Sequence, residues 1–191
     1  MIETIKIVCN GDLKVGKTSF IKVFIDDLFP EVYQETILCS IDYKNFEIGN
    51  KKFKLQIWED NFGYRGCFPN EKRLIENTSI AFLIYDITNL QSYQSILRYC
   101  NGFFNEKTIV TLVGTKLDIV DLDNSKRKVP KEVVKENSML FGYDYFEISS
   151  KYNINVHNCF LKQISKLSLI NDNINININN DKNNTAFNNN I

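Results

Sequence analysis

The chain has 191 residues, 23 basic and 23 acidic side chains, 43% apolar and 13% aromatic content. That length suits one domain, or one smaller domain with a tail, and the apolar content excludes a wholly disordered chain. Zero net charge removes the clustered positive field that nucleic acid requires, so nucleic acid is not an expected partner.

Glu3 to Asn10 is a short apolar run that stops at a glycine-containing turn, which predicts a buried strand. Thr18 to Leu28 carries apolar residues at Phe20, Ile21, Val23, Phe24 and Leu28, the spacing of a helix packed on a sheet. Asp42–Ile48 and Lys52–Trp58 flank Gly49-Asn50, a hairpin signal, so they are predicted as antiparallel neighbours. Ser79–Ile87 and Thr108–Gly114 are continuous apolar strands of the doubly buried kind, and Tyr143–Ser149 is a sixth strand. Helical patterns fall at Glu71–Glu76, Gln91–Tyr99, Pro130–Leu140 and Asn155–Ser168. Alternation of this kind predicts a three-layer α/β fold with a six-stranded, mostly parallel sheet and one antiparallel strand. Ligands on such sheets bind at the carboxyl ends of the strands.

Composition breaks near Ile170. Asparagine supplies 11 of the 21 residues from Asn171 to Ile191, interleaved with Ile174, Ile176 and Ile178. Residues 1–170 are therefore read as the domain and 171–191 as a disordered tail.

Gly11-Asp12-Leu13-Lys14-Val15-Gly16-Lys17-Thr18 fits G-x-x-x-x-G-K-[ST] between a predicted strand and a predicted helix. By chance such a string arises roughly once in 150 chains of this length, and the strand-then-helix context makes it rarer. The glycines let backbone N–H groups converge on a phosphate at a helix N-terminus. Lys17 supplies a charge to the outer phosphates and the Thr18 hydroxyl can ligate Mg²⁺, with Ser19 next to them.

The base must be read elsewhere. Asp118, in Thr115-Lys116-Leu117-Asp118 after the fifth strand, can accept from both N1–H and the 2-amino group of guanine. Adenine offers no donor at either place, so a preference of about 1–3 kcal/mol or more follows. The Lys116 stem can lie over the base plane. Glu147-Ile148-Ser149-Ser150-Lys151 ends the sixth strand, and the backbone N–H groups of Ser149, Ser150 and Lys151 could meet the guanine O6.

Together, Gly11–Thr18, Thr36, Asp60–Gly63, Thr115–Asp118 and Glu147–Lys151 resemble the five guanine-nucleotide motifs of the Ras superfamily, over about residues 3–168. Lys54–Trp58 and Tyr85–Asn89 resemble the Rab branch. Thr115, where an Asn is usual, is also seen in Rho-type members, but no Rho-like insert follows Asp118. The resemblance implies GTP and GDP as ligands with Mg²⁺, and a role as a switch in vesicle or membrane traffic.

It also implies roles for single residues. Thr36, at a Rab-like spacing of 18 from Thr18, would bind Mg²⁺ and sense the γ-phosphate. Phe29 would stand edge-on against the guanine. Asp60 would hold a water on Mg²⁺, and the Gly63 N–H would meet the γ-phosphate. Glu59 rivals Asp60, because the chain has one residue more after Trp58 than the family pattern. Asp60 is favoured since it stands three before a glycine. Tyr64 occupies the place of the glutamine that orients the attacking water, and Leu13 stands where a small residue is preferred. Both departures point to slow GTP hydrolysis, and Ile37–Ser40 departs from the family's Ile-Gly. Effectors and regulators are expected at Phe29–Ser40 and Asp60–Glu76.

Five scattered cysteines (Cys9, Cys39, Cys67, Cys100, Cys159) form no C-x-x-C pair, which predicts reduced thiols in a cytoplasmic protein. No prenylation cysteine follows Cys159 and Ile2 stands where myristoylation needs glycine, so no lipid anchor is expected. A monomer, peripheral to membranes only through protein partners, is the expectation. His157 is expected at the surface, Trp58 and Phe160 in the core, and Lys126-Arg127-Lys128 as a solvated run. Ser149-Ser150 lacks partners for nucleophilic catalysis. Two other classes stay open: a nucleotide-locked interaction scaffold and an ATP-dependent P-loop kinase.

Overall fold

The computed structural model describes residues 2–32, 40–61, 75–100 and 103–169. Thr36, Gly63, Tyr64, most of the predicted Glu71–Glu76 helix and the tail 171–191 lie outside them. Six strands form one sheet in the order β2-β3-β1-β4-β5-β6. They are β1 (Ile2–Gly11), β2 (Ser40–Ile48), β3 (Lys51–Asn61), β4 (Ile80–Asp86), β5 (Ile109–Thr115) and β6 (Asp144–Glu147). Among the strand pairs of the described residues only β2–β3 is antiparallel, closed by Gly49-Asn50 with Ile48 opposite Lys51. Gly49 takes φ 58°, the left-handed conformation that a two-residue hairpin needs. The expected fold class is the observed one.

Among the described residues, the longer helices that cover the two faces are α1 (Lys17–Asp26), α2 (Leu90–Leu97), α3 (Leu117–Leu122), α4 (Lys131–Phe141) and α5 (156–169). Strand alternation sorts the core into two halves. Ile80, Phe82 and Ile84 of β4 join α1 and α5, whereas Ala81, Leu83 and Tyr85 join the half that holds Tyr93, Ile96 and Val134. On the first side Phe24 and Phe160 stack at 3.7 Å between ring centroids, and Phe20 lies 4.6 Å from Phe160. Such pairs add about 0.5–1.5 kcal/mol beyond the area they bury. They fix α1 against α5, and with it the start of α1.

Three smaller expectations meet the structure differently. Phe160 is fully buried, but Trp58 is only half-buried, with the Lys6 ammonium 4.4 Å above its ring. The run 126–128 is not simply solvated. Arg127 donates from both guanidinium nitrogens to Glu147, at 2.6 and 3.0 Å, and ties the loop before α4 to the end of β6. His157 is partly exposed but paired, with Nε2 2.7 Å from Asp27 Oδ1 at the C-terminus of α1. Among the described residues Cys9, Cys100 and Cys159 are buried free thiols. Among the described residues no helix is long and apolar enough to cross a membrane.

Candidate functional site

The carboxyl ends of β1, β3 and β5 open on one cavity of about 690 Å³. At its first end β1 stops at Gly11, where a Cβ would run into the Ile84 carbonyl oxygen of the neighbouring strand. The chain then turns through Lys14 (φ 64°) and Gly16 (φ 98°) into α1. Gly16 gives that helix no side-chain cap, and Lys17, Thr18 and Ser19 of its first turn line the cavity.

Lys17 is the first residue of α1 and only 3% exposed. Its ammonium donates to the carbonyls of Gly11, at 3.0 Å, and Asp12, at 2.7 Å. Burial lowers its pKa to about 8, partly offset by Glu59 and Asp60. A cation held by carbonyls beside uncapped helical N–H groups forms an anion-binding end. Leu13, Lys14, Gly16, Thr18 and Ser19 line it too, while Gly11, Asp12 and Val15 serve through their carbonyls.

The acid against Thr18 is not the expected one. Thr18 Oγ1 donates to Glu59 Oε1 at 2.6 Å, and the Ser40 hydroxyl donates to the same carboxylate. Strand parity is the reason. β3 runs on to Asn61, so alternation still governs at Glu59, which faces α1 with Phe53, Leu55 and Ile57. Asp60 falls on the opposite parity, and its charge bears on Lys17. Glu59 is 3% exposed, and burial pushes its carboxyl pKa up despite the hydroxyl donors and Lys17.

The far end is built from loops after β5 and β6. Thr115 closes β5 and bonds the phosphate loop: Oγ1 lies 2.5 Å from the Val15 carbonyl and 3.1 Å from that of Tyr85. Lys116 takes a left-handed turn (φ 64°) that starts α3, and its ammonium donates to Asp86 Oδ2 at 2.6 Å. That contact fixes the stem along the cavity wall. Asp118 follows on α3 and accepts from Ser149 Oγ at 2.7 Å. Ser149 is buried and anchored in turn by exchanged backbone bonds with Ile154. Ser150 and Lys151 line the cavity, and Phe29, 40% exposed, stands at its mouth with Pro30 and Val32.

Of the expected residues, the structure thus brings Gly11–Ser19, Phe29, Thr115, Lys116, Asp118 and Ser149–Lys151 around one cavity. Glu59, the rival of Asp60, lines it as well; the structure adds Ile119 to the lining and Asp86 behind Lys116. Asp86 is the strand-end residue of the Tyr85–Asn89 run, which was its available signal. Ile119 had none, because α3 is six residues long and has no periodic pattern to read.

A cation and helix terminus at one end, a hydroxyl–carboxylate pair beside them and a second carboxylate at the other end suit a ligand with an anionic tail and a donor-rich head. The chain was also compared with known families. Residues 6–169 match the model of the Ras family, a span that holds every element of the cavity just described. Members of that family bind GTP and GDP with Mg²⁺ and interact with regulators and effectors. The chain belongs to the Ras family and is a small GTP-binding switch protein.

Proposed function

We propose that the chain is a Rab-like GTPase of vesicle or membrane traffic that binds guanine nucleotide with Mg²⁺ and hydrolyses GTP slowly. The observation that carries the nucleotide reading is the single cavity with Lys17 at one end and the Ser149-braced Asp118 at the other. In this reading Gly11–Ser19 hold the phosphates and Phe29, Lys116 and Asp118 hold the base. Thr115 braces the loop, Ser149–Lys151 close over O6, and Thr36 and Gly63 sense the γ-phosphate. Thr18, Thr36 and the acid beside Thr18 hold Mg²⁺. A set this small suits Mg²⁺, which keeps waters and takes phosphate oxygens as further ligands.

Residues 1–170 act as the G domain, with the tail outside it. Partners engage Phe29–Ser40 and Asp60–Glu76 and recruit the protein to membranes. The Rab branch is supported by Lys54–Trp58, Tyr85–Asn89 and the interval of 18 between Thr18 and Thr36. Slow turnover is supported by Leu13, whose branched side chain lines the phosphate end, and by Tyr64 in place of an amide. A phenol lacks the paired donor and acceptor that orient water, and a bulky Leu13 obstructs an incoming arginine.

Single-turnover hydrolysis of bound GTP is the test. Tyr64→Gln and Leu13→Gly together are expected to raise the rate about tenfold or more over the unmodified chain. Equal rates in all variants would show that these two positions do not limit turnover.

A further inference from the structure

We propose that the first half of the chain's own tail, residues 173–179, adds to the outer edge of β2 as a further antiparallel strand. The sheet ends at β2, and among the described residues no strand pairs with its outer side. Ile48 and Lys51 flank a two-residue turn and form a bonded pair, so the even-numbered residues of β2 bond to β3. The main-chain N–H and C=O groups of Ile41, Tyr43, Asn45 and Glu47 therefore point away from the sheet, a template for one more strand. The side chains of these four residues share one face, where Ile41 is 40% and Tyr43 54% exposed. The opposite face is already engaged. Lys44 donates to the Phe24 and Ile25 carbonyls near the end of α1, Asp42 accepts from Lys22, and Phe46 and Ile48 pack on the core.

The tail is the occupant because of where it starts and how it alternates. α5 runs to Leu169 beside the β2–β3 hairpin, where the Lys51 ammonium donates to Ser168 Oγ at 3.2 Å. A chain leaving there runs back along β2 in the antiparallel sense. Residues 173–179, outside the described ones, read Asn-Ile-Asn-Ile-Asn-Ile-Asn, which puts β-branched side chains on one face of a strand and amides on the other. One register satisfies both faces. Ile174, Ile176 and Ile178 opposite Asn45, Tyr43 and Ile41 cover the exposed apolar stripe, and aromatic–β-branched pairs across strands are favourable. Asn175 and Asn177 then stand opposite Lys44 and Asp42, among polar groups. A slip by one residue would set the isoleucines against Lys44 and Asp42 instead. The five residues from Leu169 to Ile174 span up to about 17 Å. A place beside Asn45, three residues along and two strand spacings across from Lys51, is about 14 Å from it, so the tail reaches. A docked tail occupies the edge next to Phe29–Ser40, and a partner that adds a strand there has to displace it.

The test is amide hydrogen exchange of the purified 191-residue chain, read residue by residue by NMR, beside two single variants. In this register the N–H of Ile176 bonds to β2 and that of Asn177 points to solvent. Ile176→Pro is expected to speed exchange of the Ile41, Tyr43 and Asn45 amides about tenfold or more. Asn177→Pro is expected to leave them within about threefold, because an edge strand tolerates proline where its N–H would face water. The Phe46 amide, bonded to β3, is the reference for an intact hairpin. Equal exchange of the three amides in the unmodified chain and Ile176→Pro would overturn the proposal. So would the reverse order of the two variants, which sets the isoleucines on the other face. Protection that appears only as chain concentration rises, with a dimer in sedimentation, would assign the strand to a second copy and overturn docking within one chain. None of these outcomes depends on which nucleotide the cavity holds.

Discussion

Lys17→Ala is expected to lower the affinity for both GTP and GDP by about 100-fold or more. The ammonium is buried, and its present partners are two main-chain carbonyls, each a dipole rather than a full charge. Phosphate oxygens would bring the opposite charge into the same desolvated place, where truncating one partner of a charge pair costs about 2–5 kcal/mol. At 1.4 kcal/mol per tenfold, about 3 kcal/mol is more than a hundredfold. Both nucleotides suffer because the loss falls on the phosphates they share. Equilibrium titration with a fluorescent GDP analogue measures it.

The same residue gives that affinity a pH dependence of definite sign. Burial brings the Lys17 ammonium down to about 8, and phosphate charge can only raise it. Below pH 8 the protein already carries the proton, so this group leaves affinity flat. Above pH 8 binding must take a proton up, so affinity falls as pH rises, by up to about tenfold per unit. In Lys17→Ala that slope should vanish.

Asp118→Asn is expected to reduce GTP affinity about 100-fold while leaving the weak binding of ATP nearly unchanged. The carboxylate has lone pairs for three donors, one already used by the Ser149 hydroxyl and two directed at the N1–H and 2-amino donors of guanine. An asparagine amide replaces one oxygen by a donor, so one guanine N–H faces another N–H and a charge-assisted bond is lost. Together these cost about 2–4 kcal/mol. Adenine places no donor there, so it loses nothing and the purine preference narrows. Competition between GTP and ATP for the labelled site gives both numbers. An unchanged preference would remove Asp118 from base recognition.

Strands were legible where apolar runs were continuous. Ile80–Asp86 and Ile109–Thr115 are buried throughout, and nothing but a central strand accommodates such a run. The hairpin was legible because Gly49-Asn50 specifies its turn locally. The choice between Glu59 and Asp60 was not, since it depended on where β3 ends. Counting back from Gly63 favours Asp60 if the strand stops at Trp58, whereas three more residues of strand hand the site-facing position to Glu59. Arg127 and Glu147 are 20 residues apart in sequence, and only the return of β6 beside β5 brings them together. The helix Leu117–Leu122 begins at a left-handed Lys116 held by Asp86 from another strand, a tertiary cause with no local signature.

The most direct measurement is chromatography of the nucleotide released when the purified chain is denatured. A single guanine nucleotide per chain is the predicted result. Adenine nucleotide in its place, or a chain that stays empty when offered GTP and Mg²⁺, would contradict a guanine-nucleotide site built on Lys17 and Asp118.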